Sequence, residues 1–402
     1  MTTGGSQRLT GGDVLMQQLG VNPPVQLLWR VQGRPAPEAL AKIHSNLAQG
    51  PLNRRMRPAR LPLARPVWER HTGCRPLRVA PRTVAPEEVM DWADASCRVE
   101  LDAHGGRGWE LSAAHVADGT SVVSLVGSHA LTDGQGLIGA ATLAARETAR
   151  QGRSGPPSLV DDITDALTEG VWTYSRLALA RLRDKAAEVP ATAGRLLFGR
   201  SPQGGGAVPV RSRLAFTVSA AEAERVAERG GGSVTGLMLA MTANILRAAR
   251  GTTEAGRPFT LGLPVSFRRP GDLESSNMVG IATLCLDGLR GRYTDLSEIR
   301  RLSKAAYSEA VGRHLTGYPQ TDAALSNAGE ILPEARDVFG PALGILFRTV
   351  SGAGGPPGRM NCFVLRAGET VSVGFQSAGV EVDHGLVELE LDAWGIAPTH
   401  TW

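Results

Sequence analysis

The segment Ser121-Val-Val-Ser-Leu-Val-Gly127 is almost entirely apolar or small, with no polar alternation. A strand of that pattern is covered on both faces, which makes it a central strand of a packed sheet. Residues 109–116 read as a second strand, joined to the first through Ala117-Asp118-Gly119-Thr120. Asp-Gly signals a tight antiparallel hairpin, because glycine accepts the positive φ that such a turn demands. Beyond the central strand the chain runs through Ser128-His129-Ala130-Leu131-Thr132-Asp133-Gly134 into a helical pattern reaching about Arg150. Leu137, Ile138 and Leu143 are the expected buried positions of that helix.

At 402 residues the chain exceeds the size at which one hydrophobic core stops growing, so two domains are expected. Ser-Pro-Gln-Gly-Gly-Gly-Ala-Val-Pro over 201–209 is the clearest linker, which divides the chain into domains 1–200 and 201–402. Before it, a strand is predicted at 25–31 and a helix from Ala36-Pro37-Glu38 to Gly50, then a helical region over 161–188. After it come a strand at 213–218, a helix capped by Ser219, and a long apolar helix over 234–250. Strands at 259–267 and 280–286 precede a helix over 295–312 capped by Asp295. A Gly/Pro loop at 351–358 leads to strands at 361–366 and 370–375. Mixed strands and helices in both halves predict two α/β sandwiches of similar design.

Charge and cysteine usage exclude several classes. The net charge of +4 is dispersed, and no basic run is interleaved with aromatics, so a nucleic-acid partner is not expected. The basic stretch Asn53-Arg-Arg-Met-Arg-Pro-Ala-Arg60 reads as a solvated loop, with steering of a phosphate-bearing donor as its functional alternative. Four cysteines without a C-x-x-C pair read as free thiols in a reducing cytosol. No basic-then-apolar N-terminal stretch and no apolar run of bilayer length are present, so a cytoplasmic protein without signal peptide or transmembrane segment is expected. The eight histidines show no zinc-ligand spacing, and no metal is expected.

The chemistry centres on His129-x-x-x-Asp133-Gly134. A hydroxyl or amine attacking a thioester must lose its proton, and a neutral imidazole suits that task near pH 7. The protein itself need supply no nucleophile, and the chain contains no G-x-S-x-G. Asp133 has two open roles: partner to the imidazole, as in a triad, or partner to an arginine that holds the loop. Gly134 permits a sharp turn from strand to helix. Gly134-x-Gly136-x-x-Gly139 matches a dinucleotide fingerprint, but the strand context of a Rossmann unit is missing, so close helix packing is the better reading. His115-x-x-Asp118-Gly119 is explained by the hairpin. Trp29, Trp68, Trp109 and Trp394 are assigned to the core.

These residues resemble the CoA-dependent acyltransferase superfamily, which includes chloramphenicol acetyltransferase, condensation domains and wax ester synthases. Their H-H-x-x-x-D-G signature appears here with Ser128 in place of the first histidine. Leu9-Thr-Gly-Gly-Asp13, the strand, helix and basic-proline order from Val25 to Trp68, Leu263-Pro-Val-Ser-Phe-Arg268 and Asn277-Met-Val-Gly280 look most like the wax ester synthase group. The resemblance implies two chloramphenicol-acetyltransferase-like α/β sandwich domains in a V with a central tunnel. It implies His129 as the base, and Asp133 as structural, paired with Arg268. Gly134, Asn277 and Ser128 would support the site. No bound cofactor is implied. The co-substrate would be acyl-CoA or an acyl carrier protein thioester, the acceptor a small molecule and the protein a monomer.

Other readings stand beside this one. A condensation-like enzyme would take its donor from a carrier protein, with an identical motif. A binding module with a degenerate site is kept open by Ser128. A dehydrogenase rests on the three glycines alone.

Overall fold

The computed structural model describes residues 8–14, 23–147, 157–175, 178–179, 210–251, 258–286, 291–310, 321–350 and 359–402. The expected linker at 201–209, the loop at 351–358 and the ends of three expected helices (148–150, 180–188 and 311–312) lie outside the described residues.

Two sheets carry the fold. The strands in chain order are β1 Pro24–Val31, β2 Arg54–Arg57, β3 Val67–Arg70, β4 Arg78–Val79, β5 Trp109–His115, β6 Ser121–Ser128 and β7 Val210–Ser219. They continue as β8 Phe259–Ser266, β9 Val279–Leu286, β10 Ala323–Glu330, β11 Ala342–Thr349, β12 Arg359–Ala367, β13 Thr370–Ala378 and β14 Pro398–Thr401. The first sheet has the order β11-β1-β6-β5-β4, and the second β14-β7-β13-β12-β10-β8-β9. A separate hairpin pairs β2 with β3.

The apolar strand behaves as its composition requires. Every residue of β6 is buried, and it lies between β1 and β5, antiparallel to both. The turn joining β5 to β6 places Gly119 at φ +87°. This sheet surrounds β6 with antiparallel strands, so no parallel βαβ unit leads into the glycine run.

The first sheet takes four strands from before residue 200 and one, β11, from after it. The division expected at 201 therefore separates the sheets except for this strand. β1 is mostly apolar and buried from Val25 to Val31, and left at an edge it would expose unpaired backbone donors and acceptors. β11 covers that edge in antiparallel register, with Leu27 opposite Phe347 and Leu28 opposite Leu346. One apolar cluster then runs from Leu27, Trp29 and Leu125 through Phe347 to Phe363 and Leu365 of the second sheet.

Two expectations need correction. The stretch 53–60 is not a solvated loop, because its first residues enter strand β2 and Asn53 and Arg54 are buried. The hydropathy of arginine hid this, since the strand buries alternate residues only. The helix over 161–188 begins earlier, at Leu159, and passes at Ala166–Gly170 into a π-turn. Ser158 caps its start by accepting from the Asp161 amide. None of the four cysteines forms a disulfide. Trp29, Trp68 and Trp109 are buried as expected, whereas Trp394 is only half-buried.

Trp29 ties the crossover into β11 to the first sheet. Its indole Nε1 donates to the Ala335 carbonyl at 3.0 Å, and its ring meets Phe339 edge-on at 5.3 Å. Trp29→Ala is expected to lower stability by about 3–5 kcal/mol, read from denaturant midpoints by circular dichroism. A loss below about 1 kcal/mol would show that the crossover is held elsewhere.

Candidate active site

The motif lies where the central strand of the first sheet meets a loop of the second. β6 ends at Ser128, and its backbone amide donates to Gly108 while its carbonyl accepts from Leu131 and Thr132. This turn leaves Leu131 and Thr132 buried and His129 half-exposed. Asp133 then caps the helix Gly134–Ala145, its Oδ1 accepting from the Gly136 amide at 2.8 Å.

Asp133 does not touch His129: among the described residues no hydrogen bond joins them, so the triad role is absent. Its carboxylate instead meets Arg268, with Nη1 to Oδ2 at 2.8 Å and Nη2 to Oδ1 at 2.7 Å. Both side chains are nearly fully buried, at 7% and 9% exposure. Oδ2 also accepts from the Met278 amide at 3.1 Å. The remaining reach of Arg268 goes to the Ser275 carbonyl at 3.0 Å and to that of Ser276. One arginine thus ties the helix start to the whole 268–278 loop, which a planar fork of donors can do and an ammonium cannot.

Two glycines of the run, Gly136 and Gly139, form the contact surface for that loop. A Cβ on Gly139 would stand 2.6 Å from the Leu273 carbonyl oxygen, and one on Gly136 would stand 3.2 Å from that of Ser275. A Cβ on Gly134 would strike the Phe347 ring at 2.6 Å. The close-packing reading of Gly134-x-Gly136-x-x-Gly139 therefore holds.

His129 is reached from the same loop. Its Nδ1 lies 3.1 Å from Asn277 Oδ1, and the Asn277 amide nitrogen donates to the His129 carbonyl at 2.7 Å. Asn277 in turn contacts Asp13, a fully buried carboxylate in the short helical turn after Thr10. Arg54 lies close by. It stacks over Trp68 at 4.6 Å and donates to the Leu131 carbonyl at 3.2 Å. Burial lowers the Arg54 pKa to about 10, with Asp13 acting in the opposite direction, so it remains a cation at neutral pH.

The structure therefore brings His129, Asp133, Gly134, Arg268 and Asn277 together, with Ser128 fully buried behind them. Sequence reasoning missed Arg54 as a site residue and gave Asp13 no role beyond a place in the resemblance. Thr10-x-x-Asp13 forms a reciprocal capping pair, a local signal that could have drawn attention to it. Among the described residues no group of three or more His, Cys, Asp or Glu could hold a metal ion. No described helix is long and apolar enough to cross a membrane.

No family model and no curated protein matches the chain. Solved structures do. The first condensation domain of the CDA synthetase superposes with a TM-score of 0.61 at 16% identity, covering 98% of this chain and 99% of that one. The fold is that of a condensation domain. Polyketide synthase associated protein 5 from Mycobacterium tuberculosis has a TM-score of 0.60 at 13% identity, over 97% and 98% of the two chains. The starter condensation domain of rhizomide synthetase RzmA, as an arginine-to-alanine mutant in complex with C8-CoA, has 0.58 at 15%, over 97% and 93%. The condensation-domain fold agrees with the two α/β units expected from the superfamily resemblance. At these identities the likeness is one of fold, and it does not reach the wax ester synthase group.

The Arg268–Asp133 pair gives a sharp test of how the fold is fastened. Arg268→Ala is expected to cost about 3–5 kcal/mol, because it strands a buried carboxylate. Asp133→Ala with Arg268→Ala should cost clearly less than the two single losses summed. Simple additivity in a denaturation cycle would refute the pairing. Gly139→Val should destabilise by about 1–3 kcal/mol through collision with the Leu273 carbonyl, and a neutral result in the same assay would contradict the close contact.

Proposed function

We propose that this chain is an acyltransferase that moves an acyl group from a thioester to a hydroxyl or amine, with His129 as general base. One observation carries the reading. His129 is only partly buried although its flanking residues Ser128 and Ala130–Asp133 are buried, and its Nδ1 is already engaged by Asn277, which leaves Nε2 as the nitrogen for a substrate.

In the proposed step the acceptor O–H or N–H gives its proton to Nε2 as the acceptor atom bonds to the thioester carbon. The tetrahedral adduct collapses, the carbon–sulfur bond breaks, and the imidazolium returns the proton to the departing thiolate. A neutral imidazole works in both directions at physiological pH. Asp133 takes no proton; it and Arg268 hold the loop that carries Asn277.

Acyl-CoA is the proposed donor, supported by the complex of the rhizomide starter domain with C8-CoA. A carrier-protein thioester is the second reading, since the CDA and rhizomide neighbours are domains of synthetases. We further propose that the two units form a V, that donor and acceptor reach His129 through a tunnel from opposite faces, and that the protein acts as a monomer.

The experiment incubates the protein with acyl-CoAs from acetyl to palmitoyl and with small alcohols and amines, following thiol release. Release should require an acceptor and fall about 10²–10⁴-fold in His129→Ala. Equal rates in wild type and variant would remove His129 as the base. Inertness with every CoA, but turnover of an acyl carrier protein, would select the second reading.

A further inference from the structure

The Asn277 side chain has only one chemically consistent orientation. Its nitrogen lies 2.8 Å from Asp13 Oδ1 and 2.7 Å from the His129 carbonyl oxygen. Both partners only accept, so the atom between them must be the amide nitrogen. The amide oxygen then faces Nδ1 of His129 at 3.1 Å. An amide oxygen accepts and never donates, so Nδ1 must carry the hydrogen and Nε2 must carry the lone pair in the neutral ring.

Asp13 is built to hold that orientation. Its carboxylate is fully buried and accepts four hydrogen bonds. Oδ2 takes the Thr10 amide at 2.8 Å and the Ser276 hydroxyl at 2.6 Å. Oδ1 takes the backbone amide of Asn277 at 3.1 Å and its side chain at 2.8 Å. The segment carrying it is fixed on both sides. Leu9 and Val14 are buried, Thr10 Oγ1 donates to the Asn277 carbonyl at 2.9 Å, and Arg8 pairs with Asp162 at 2.6 Å. Only a carboxylate satisfies four donors without offering one of its own to the Asn277 nitrogen.

We propose that Asp13 is a positioning residue for the base of acyl transfer. It acts through Asn277, locking the amide so that the proton of neutral His129 stays on Nδ1 and Nε2 is free to take the acceptor's proton. The chain His129–Asn277–Asp13 differs from a catalytic triad, because an amide stands between ring and carboxylate and no proton can pass to Asp13. It brings a residue from the beginning of the chain, one from the second half and the motif histidine into a single unit. The assignment of purpose rests on the acyltransferase reading, while the tautomer itself does not.

The tautomer is measured directly. Protein labelled with ¹⁵N-histidine is studied by two-bond ¹H–¹⁵N correlation above the pH at which the ring titrates, and His129 is assigned by its loss in His129→Ala. The wild type should show a protonated Nδ1 and a bare Nε2. Asp13→Ala should give a mixture of tautomers. With octanoyl-CoA and an acceptor it turns over, its kcat should fall about 10²-fold while KM for the thioester stays within about twofold. Asp13→Asn, of the same size, serves if the alanine variant does not fold, and it should also mix the tautomers because its own amide donors compete for the Asn277 oxygen. A wild-type ring protonated on Nε2 overturns the proposal without any variant. So does a folded Asp13 variant whose tautomer is unchanged. A wild type with the expected tautomer that responds to Asp13 but lacks all thiol release would leave the positioning intact and refute the acyltransferase reading instead.

Discussion

Arg268 reaches out of the second sheet's β8–β9 loop and grips both oxygens of Asp133 at the start of the motif helix. Much of the site follows from this contact. Burying two charges costs desolvation that their attraction only roughly offsets, so the pair adds little net stability. What it supplies is position. The same guanidinium holds the Ser275 and Ser276 carbonyls, and Asp133 holds the Met278 amide. Asn277 sits between these anchored residues, and the contact with His129 depends on it.

Such a grip is possible only if the loop can approach the helix closely. Gly136 and Gly139 provide that approach by lacking a side chain on the face the loop covers. The loop therefore packs backbone against backbone, which removes side-chain freedom as a source of slack. Phe347 plays the matching part from β11, its ring filling the space beside Gly134. A strand from the second half thus completes the first sheet and also walls the start of the motif helix.

Arg54 shows the same economy of position. Its buried cation lies near Asp13 and Arg268 and binds the Leu131 carbonyl within the motif turn. A cation there partly balances the Asp13 carboxylate in surroundings of low polarity, where an uncompensated charge is costly. Stacking on Trp68 helps to hold the plane of the guanidinium in place.

The sequence alone determined much of the framework. The apolar run of β6, the Asp-Gly hairpin and the capped helices are set by local pattern and turn chemistry, and the chain carries them wherever it folds. His129, Asp133 and Gly134 stood out because they lie in one short motif with a chemical reason for each residue type, whereas Arg268 and Asn277 were singled out only through the family resemblance. The strands β10 and β11, the helix His384–Trp394 and strand β14 escaped, since their patterns are weak and their partners are distant in sequence. Only the tertiary structure decided between the two roles of Asp133, because the choice depends on which charge lies nearest in space. Only it joined Asp13 to Asn277 across 264 positions of chain. Hydrogen bonds act over about 3 Å, and no local sequence pattern records which remote donors a buried carboxylate will meet.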